Sequence, residues 1–245
     1  MGRLDGKVAI ISGAAGGIGY ATAEKFLEEG ASVMICDMNA ERLQAAAETL
    51  SQKGPVIWEA LNICDVDAVA AMVKRTNDTF SHVDILINNA GITMDAQFYK
   101  MDIAQFQKVI DVNLMGTVTM SKAVVPYMME QKSGRIVNSS SISALAGNFG
   151  QTNYAASKGA IISLTRSMGR ELAKHGITVN AILPGAIATP MTDAIPAEIR
   201  EKKAAAFPTK RWGTSREVAN AYAFLASDEA SYINSASLVV DGGCS

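Results

Sequence analysis

A chain of 245 residues with 49% hydrophobic and 19% charged side chains is long enough to bury a full core without covalent staples. Lys+Arg 22 against Asp+Glu 24 leaves a net charge of −2, which excludes the basic field that nucleic acid binding needs and gives no acidic tail. Three cysteines in no zinc or Cys-x-x-Cys spacing, with only two histidines, exclude a disulfide framework and a conventional multi-histidine metal site; a reduced, cytoplasmic protein without a metal is expected.

The opening "MGRLDGKVAIISG" holds an apolar run too short and too quickly broken by glycine for a signal peptide, and no apolar run reaches the roughly 18 residues that span a bilayer. From there short β-branched runs alternate with longer helical patterns. "VAIIS" at 8–12 predicts a first strand and 19–29 a helix; "ASVMICD", ending at Asp37, predicts a second strand before a helix over 40–53. "PVIWEALNI" is the third strand, followed by a helix over 66–80, and "VDILINNAG" from Val83 is the fourth. A long helical pattern covers 103–131, with Pro126 placed to bend it late. "RIVNSSS" predicts a fifth strand, 153–174 a helix, and "ITVNAILPG" a sixth strand. Residues 185–213 are irregular around the short helical piece "PAEIREKKAAAF" and predict an excursion above the sheet's carboxyl edge. Thr214 and Glu217 form a capping box for a helix over 215–227, and "SLVVDGG" is the seventh strand. This alternation predicts an α/β fold, a doubly wound parallel sheet of seven strands in a single domain with no seam for a second.

"SGAAGGIG" places Gly13, Gly17 and Gly19 between the first strand and first helix, where glycine permits a tight turn and lets backbone N–H groups approach a pyrophosphate at the helix N-terminus. The spacing departs from Gly-x-Gly-x-x-Gly, and a bare turn would use the same residues. Asp37 closes the second strand about twenty residues past the loop, where a carboxylate accepts ribose hydroxyls and repels a 2′-phosphate; NAD is therefore expected over NADP. Arg42 falls inside the next helix and is not an obvious phosphate clamp. At the end of the fourth strand the two amides of "NNAG" are suited to tying strand ends together, and Gly91 to close approach of a cofactor ribose.

"NYAASKGA" sets Tyr154 and Lys158 four residues apart, on one face of a helix. An ammonium about 4 to 6 Å from a phenol lowers its pKa by about 1 to 3 units, toward the range where one group can both donate and remove a proton. Reducing a carbonyl by hydride leaves an alkoxide that needs such a proton. Ser139, Ser140 or Ser141 can polarise the same carbonyl, and Asn113 is a polar residue inside a helix, placed to bend it or to hold a water.

Taken in order, "SGAAGGIG", "NNAG", Asn113, Ser141, "YAASK" and "PG" at Pro184 and Gly185 resemble the short-chain dehydrogenase/reductase family over essentially the whole chain. The resemblance implies a Rossmann fold with strand order 3-2-1-4-5-6-7. It selects Ser141 among the three serines. It implies Tyr154 as general acid/base, Lys158 tuning it and binding nicotinamide ribose, Ser141 orienting the substrate oxygen, and Asn113 anchoring a relay water. For the cofactor it implies Gly13, Gly17, Ile18 and Gly19 at the phosphates, Asn62 and Ile63 at the adenine, Asn89, Ala90 and Gly91 near the ribose, and Pro184, Gly185, Ile187 and Thr189 at the nicotinamide.

Within the family the chain is most similar to the 3-oxoacyl-acyl-carrier-protein reductase branch, although Asp37 and the weakly basic "MMEQKSGR" fit that substrate less well. A dehydrogenase of a steroid, sugar or other small secondary alcohol, and a non-catalytic NAD-binding regulator, are the alternatives. Met94, Leu145, Phe149, Met191, Ile195 and Trp212 are candidate linings of an apolar pocket. Ser12 stands where threonine is usual, and Asn234/Ser235 stand where a Thr-Gly pair is frequent, so a different turn is expected there. The resemblance also implies a homotetramer, in keeping with the surplus apolar character of "FQKVIDVNLMGTVTMSKAVVPYMM".

Overall fold

The computed structural model describes residues 2–193 and 196–245. Seven parallel strands form one sheet: β1 (Val8–Ser12), β2 (Ser32–Asp37), β3 (Val56–Ala60), β4 (Ile85–Asn88), β5 (Gly134–Ser139), β6 (Ile177–Pro184) and a last strand, β9 (Ser237–Val240). Their order is β3-β2-β1-β4-β5-β6-β9, as expected, with all pairings parallel. The order reverses between β1 and β4, and that switch point opens the crevice in which ligands of such sheets bind.

Alternate side chains of each strand serve opposite faces. Ala9, Ile11, Val33, Ile35, Ile85, Ile87 and Val137 join one core with α1 (Gly17–Glu28), α2 (Ala40–Leu50) and α10 (Ser215–Ala226). Ile10, Met34, Cys36, Leu86 and Ile136 join the other with α3 (Val66–Phe80), α5 (Gly116–Gln131) and α7 (Thr152–Leu172). Both faces are apolar because both are covered, which is why the strands read as nearly continuous hydrophobic runs. Cys36 packs here as a small hydrophobe, and burial pushes its thiol up to about 12.

Three local features differ from the sequence reading. The long helical pattern over 103–131 is continuous but not uniform: α4 (Ile103–Ile110) passes through a π turn at Asp111–Met115 into α5, and Asn113 lies in that turn. A π turn inside an α-helix commonly marks a functional position. Strand β3 stops at Ala60, because Leu61 to Asp65 turn away to give α3 its Asp65 N-cap. The excursion contains a two-stranded sheet, β7 (Ile187–Ala188) beside β8 (Gly213–Thr214), around α8 (Pro190–Asp193) and α9 (Ala197–Ala206); α6 (Ser143–Ala146) is a single turn before α7. The small sheet ties both ends of the excursion to the trunk.

The Thr214/Glu217 capping box is present. In the turn before β9, Ser235, at the position where glycine is frequent, adopts a left-handed φ of 61°, while Asn234 accepts from Val179 N and donates to Gly169 O. Ion pairs join α1 to the elements around it, Arg216 of α10 to Glu28, Lys53 to Glu24 and Arg3 to Glu29; Lys25, one turn back in α1, also pairs with Glu29, whose carboxyl these contacts lower to about 2.

Candidate functional site

The carboxyl ends of β1, β4, β5 and β6 meet the start of α7 at one edge. Gly13 leaves β1 at φ 68°, and a side chain there would lie 2.8 Å from Ala90 Cα. Gly17 is also left-handed, at φ 56°, and faces Thr189 at 3.6 Å; a side chain on Gly19 would collide with the Gly13 carbonyl. The loop therefore needs glycine for two left-handed turns and one close packing contact, and its backbone stays bare toward the crevice. Ile18 is half-buried beside it.

The polar groups of the β4 end hold neighbouring strands, as the sequence suggests. Asn88 Nδ2 donates to Asn138 Oδ1 at 2.9 Å and to Ser121 Oγ at 3.0 Å. Asn89 Nδ2 donates to Ser12 O and Gly13 O, while Ser12 Oγ accepts from Asn89 N and Ala90 N, so the serine performs this tie through its hydroxyl. Asp37 Oδ2 accepts from Ala15 N at 3.2 Å and Oδ1 from Asn39 N at 3.1 Å, which fixes the carboxylate beside the glycine loop. Asn62 is exposed, its Oδ1 accepting from Cys64 N. Ile63 is buried, its side chain packed where a side chain on Gly116 would meet it within 2.5 Å. Pro184 is buried, Gly185 lies against Asp241, Ile187 is buried in β7, and Thr189 N is held by Thr192 Oγ1 at 2.9 Å.

Helix α7 presents Tyr154 and Lys158 toward this edge. Lys158 Nζ is buried, donates to Ser139 O at 2.7 Å, and sits 5.6 Å from the Tyr154 ring centroid. A side chain on Gly91 would stand 3.4 Å from Lys158 Nζ and 3.2 Å from Asn113 Oδ1, so this glycine keeps open the space in front of the ammonium. Among the three serines, Ser140 Oγ is engaged with Lys158 O at 2.7 Å. Ser141 is the one whose hydroxyl acts on the Tyr154 phenol.

The electrostatics depart from the simple expectation for the pair. Burial is the largest influence on Tyr154 and pushes its phenol above the usual value; Ser141 pulls it back and Asp95 adds to the rise. Lys158 is not among the influences on the phenol; its Nζ stands over the ring and donates to Ser139 O. Burial in turn lowers Lys158 to about 8.

Asn113 is more deeply engaged than its type foretells. It accepts from Ile92 N at 2.8 Å and donates to Ile92 O and Ser157 Oγ at 3.0 Å each, clamping the π turn to the loop after β4 and to α7. Its side chain is thereby committed to positioning these two elements. Ser157, whose Oγ also donates to Tyr154 O at 2.7 Å, was not singled out in the sequence; its place three residues past the tyrosine is the signal available. Asn153, with Nδ2 on Met94 O and Oδ1 receiving Tyr154 N, fixes the first turn of α7.

The apolar lining expected from sequence is only partly assembled. Phe149 and Leu145 stand largely in solvent, Met94 is exposed, and Trp212 packs edge-on to Phe207 within the excursion; Ile195 and the side chain of Met191 lie outside the described residues. Arg42 lies inside α2, as expected, and its Nη2 comes within 3.3 Å of the position a Gly16 side chain would take.

This edge can hold an extended anionic cofactor along the bare loop and supply a proton to an oxygen near Tyr154. Residues 13–245 match the family model described as Enoyl-(Acyl carrier protein) reductase. The chain is 44% identical to a 3-oxoacyl-acyl-carrier-protein reductase FabG of Thermotoga maritima and 43% identical to one of Vibrio harveyi, with 98% of both partners covered in each case. It superposes on the crystal structure of a levodione reductase with a TM-score of 0.93 at 35% identity, covering 98% of either chain. The chain belongs to the short-chain dehydrogenase/reductase family and carries an oxidoreductase framework that takes a nicotinamide cofactor.

Proposed function

We propose that the protein reduces the ketone of a 3-oxoacyl thioester to a secondary alcohol with NADH, in the cytoplasm, through a single cofactor-binding domain bordered by the 185–213 excursion. The observation that carries this reading is the convergence of Tyr154, Ser141, Lys158 and Gly91 at the carboxyl edge. Relatives of matching length whose names specify 3-oxoacyl reduction support the substrate class.

The bound nicotinamide supplies the hydride. The Tyr154 hydroxyl, held protonated at neutral pH, gives its proton to the carbonyl oxygen. Ser141 Oγ orients that oxygen, and Lys158 Nζ, with Gly91 leaving its front open, holds the ribose hydroxyls. Asn113 positions the loop after β4 and α7 through its three hydrogen bonds. The glycine loop, with Ile18, takes the pyrophosphate, and the backbone at Asn62 and Ile63 the adenine. Asn89, Ala90, Pro184, Gly185, Ile187 and Thr189 border the remaining length. Each Asp37 oxygen keeps a lone pair for a ribose hydroxyl, which supports NAD.

The full-length likeness to levodione reductase favours a second reading, reduction of a ketone in a small molecule. A panel of acetoacetyl-CoA and acyl-carrier substrates against steroids, sugars and simple ketones, each with NADH and NADPH and followed by nicotinamide absorbance, separates the two. Highest kcat/KM on 3-oxoacyl thioesters with NADH is expected. Turnover confined to small ketones would contradict the thioester assignment, and a preference for NADPH would refute the role of Asp37.

A homotetramer is part of the same proposal. Its support is an outward-facing groove of about 300 Å³ between α5 and α7, lined by Val118, Val125, Pro126, Leu164 and Met168, with Met115 and Met129 exposed on the same helical stretch. Light scattering is expected to give four chains at micromolar concentration; a monomer would contradict it.

A further inference from the structure

The loop after β4 and the loop that feeds α7 come from distant parts of the chain, and hydrogen bonds stitch them together beside Tyr154. Ala96 N donates to Gly150 O at 2.9 Å, an approach made with Gly150 at a left-handed φ of 78°. Asn153 Nδ2 donates to Met94 O at 2.9 Å, and Asn153 Oδ1 receives Tyr154 N at 2.7 Å. Asp95 is therefore one residue from a bond that also fixes the start of the tyrosine's helix. Its carboxylate is held from the opposite loop: Oδ2 accepts from Gln151 Nε2 at 2.9 Å, and Gln151 Oε1 accepts in turn from Asn148 Nδ2 at 2.8 Å. The charge is anchored in the mouth, exposed, and paired with no Lys, Arg or His among the described residues. Lys100, the cation on the same loop, lies over the Tyr99 ring instead, and Lys158 is buried and engaged with Ser139 O. The field of Asp95 reaches the Tyr154 phenol, while Met94, Leu145 and Phe149 give the surrounding rim an apolar character. No step of the proposed reaction uses this acid.

We infer that Asp95 is a specificity-determining residue that turns away substrates carrying an anion next to the ketone, so that the site takes a 3-oxo acid only with its carboxyl masked as a neutral thioester, ester or amide. This rests on the ketone-reduction reading of the site and deepens it. With the ketone oxygen fixed by Ser141 and Tyr154, a carboxylate one methylene away is confined to the mouth that Asp95 occupies. Two anions would share that space with no cation set between them, and a fixed repulsive charge discriminates as surely as an attractive contact. A thioester at the same place is uncharged and meets the apolar rim.

The test uses one ketone in two charge states, acetoacetate and ethyl acetoacetate, with reduced nicotinamide cofactor in excess, on intact wild type, Asp95→Asn and Asp95→Glu. Wild type is expected to favour the ester in kcat/KM by about tenfold or more, a ratio that narrows as salt is raised. Asp95→Asn keeps an oxygen for Gln151, so the stitch between the loops survives. It is expected to raise acetoacetate by about fivefold or more, to change the ester by less than about threefold, and to remove the salt dependence of the ratio. Asp95→Glu keeps the charge and is expected to keep the discrimination. An unchanged ratio in Asp95→Asn, an equal rise for both compounds, or a wild type that prefers acetoacetate would overturn the assignment. Absence of wild-type turnover on both compounds and on acetoacetyl-CoA would instead remove the ketone-reduction reading beneath it. The side chain is exposed, so the substitutions leave the core untouched.

Discussion

Tyr154→Phe is expected to bind NADH as the wild type does and to lose turnover by a factor of about 10²–10⁴, the usual contribution of a positioned general acid. The reasoning follows from the geometry. Phenylalanine keeps the half-buried ring against α7 and changes no contact of Lys158 with Ser139 O, so the cofactor edge stays intact. Only the proton donor beside Ser141 is lost. Hydride delivery would then leave an alkoxide with no acid in reach, and water would have to supply the proton in a site shaped to limit it. Fluorescence titration with NADH and a steady-state assay on the same preparation check the two halves. Turnover within twofold of wild type would reject Tyr154 as the acid, and loss of NADH binding would show the ring to be a binding element instead.

Lys158→Met is expected to make the protein more stable at neutral pH while abolishing most turnover. Burial holds the lysine at about 8 against its ordinary 10.5, a destabilisation of about 3 kcal/mol when the unfolded chain carries the charge and the folded chain resists it. The sign follows from the direction of the shift. Below pH 8 both states are protonated and the whole cost is present. Between pH 8 and 10.5 the folded lysine loses its proton first, so stability gains as pH rises; above 10.5 nothing remains. Methionine fills a similar volume and carries no charge, but it leaves Ser139 O without its donor at a cost of about 1 kcal/mol, for a net gain of about 2 kcal/mol at pH 7. Urea unfolding at pH 7 and pH 9.5 checks this: the variant should exceed wild type at the lower pH and converge on it at the higher. A variant less stable than wild type at pH 7 would mean that the ammonium is net favourable where it sits. Such a trade of stability for chemistry is what a buried functional cation implies.

The sheet was legible because each strand is buried on both faces, so its residues could only be apolar, and because the helices between them keep a clear amphipathic period. A helix start was legible where a side chain does the capping, as with Thr214 and Glu217; the Asp65 cap before α3 emerges only in the structure. The π turn around Asn113 was not, since one extra residue per turn leaves the apolar pattern of 103–131 almost unchanged; only the misplaced asparagine hinted at it. The candidate site was legible as a set of residue types at intervals. Its electrostatics were not, because whether a lysine lowers a tyrosine depends on where Nζ points and what it already binds. Spacing on a helix face gives neither.

The central claim is that the Tyr154 hydroxyl is the proton donor to the substrate oxygen. A crystal structure of the ternary complex with cofactor and a 3-oxoacyl substrate or product analogue tests it most directly. The Tyr154 oxygen is expected within about 2.6–3.2 Å of the reacting oxygen, or joined to it through one water, with Ser141 Oγ on the same atom. A tyrosine oxygen well beyond that reach, with no water between, would contradict the account.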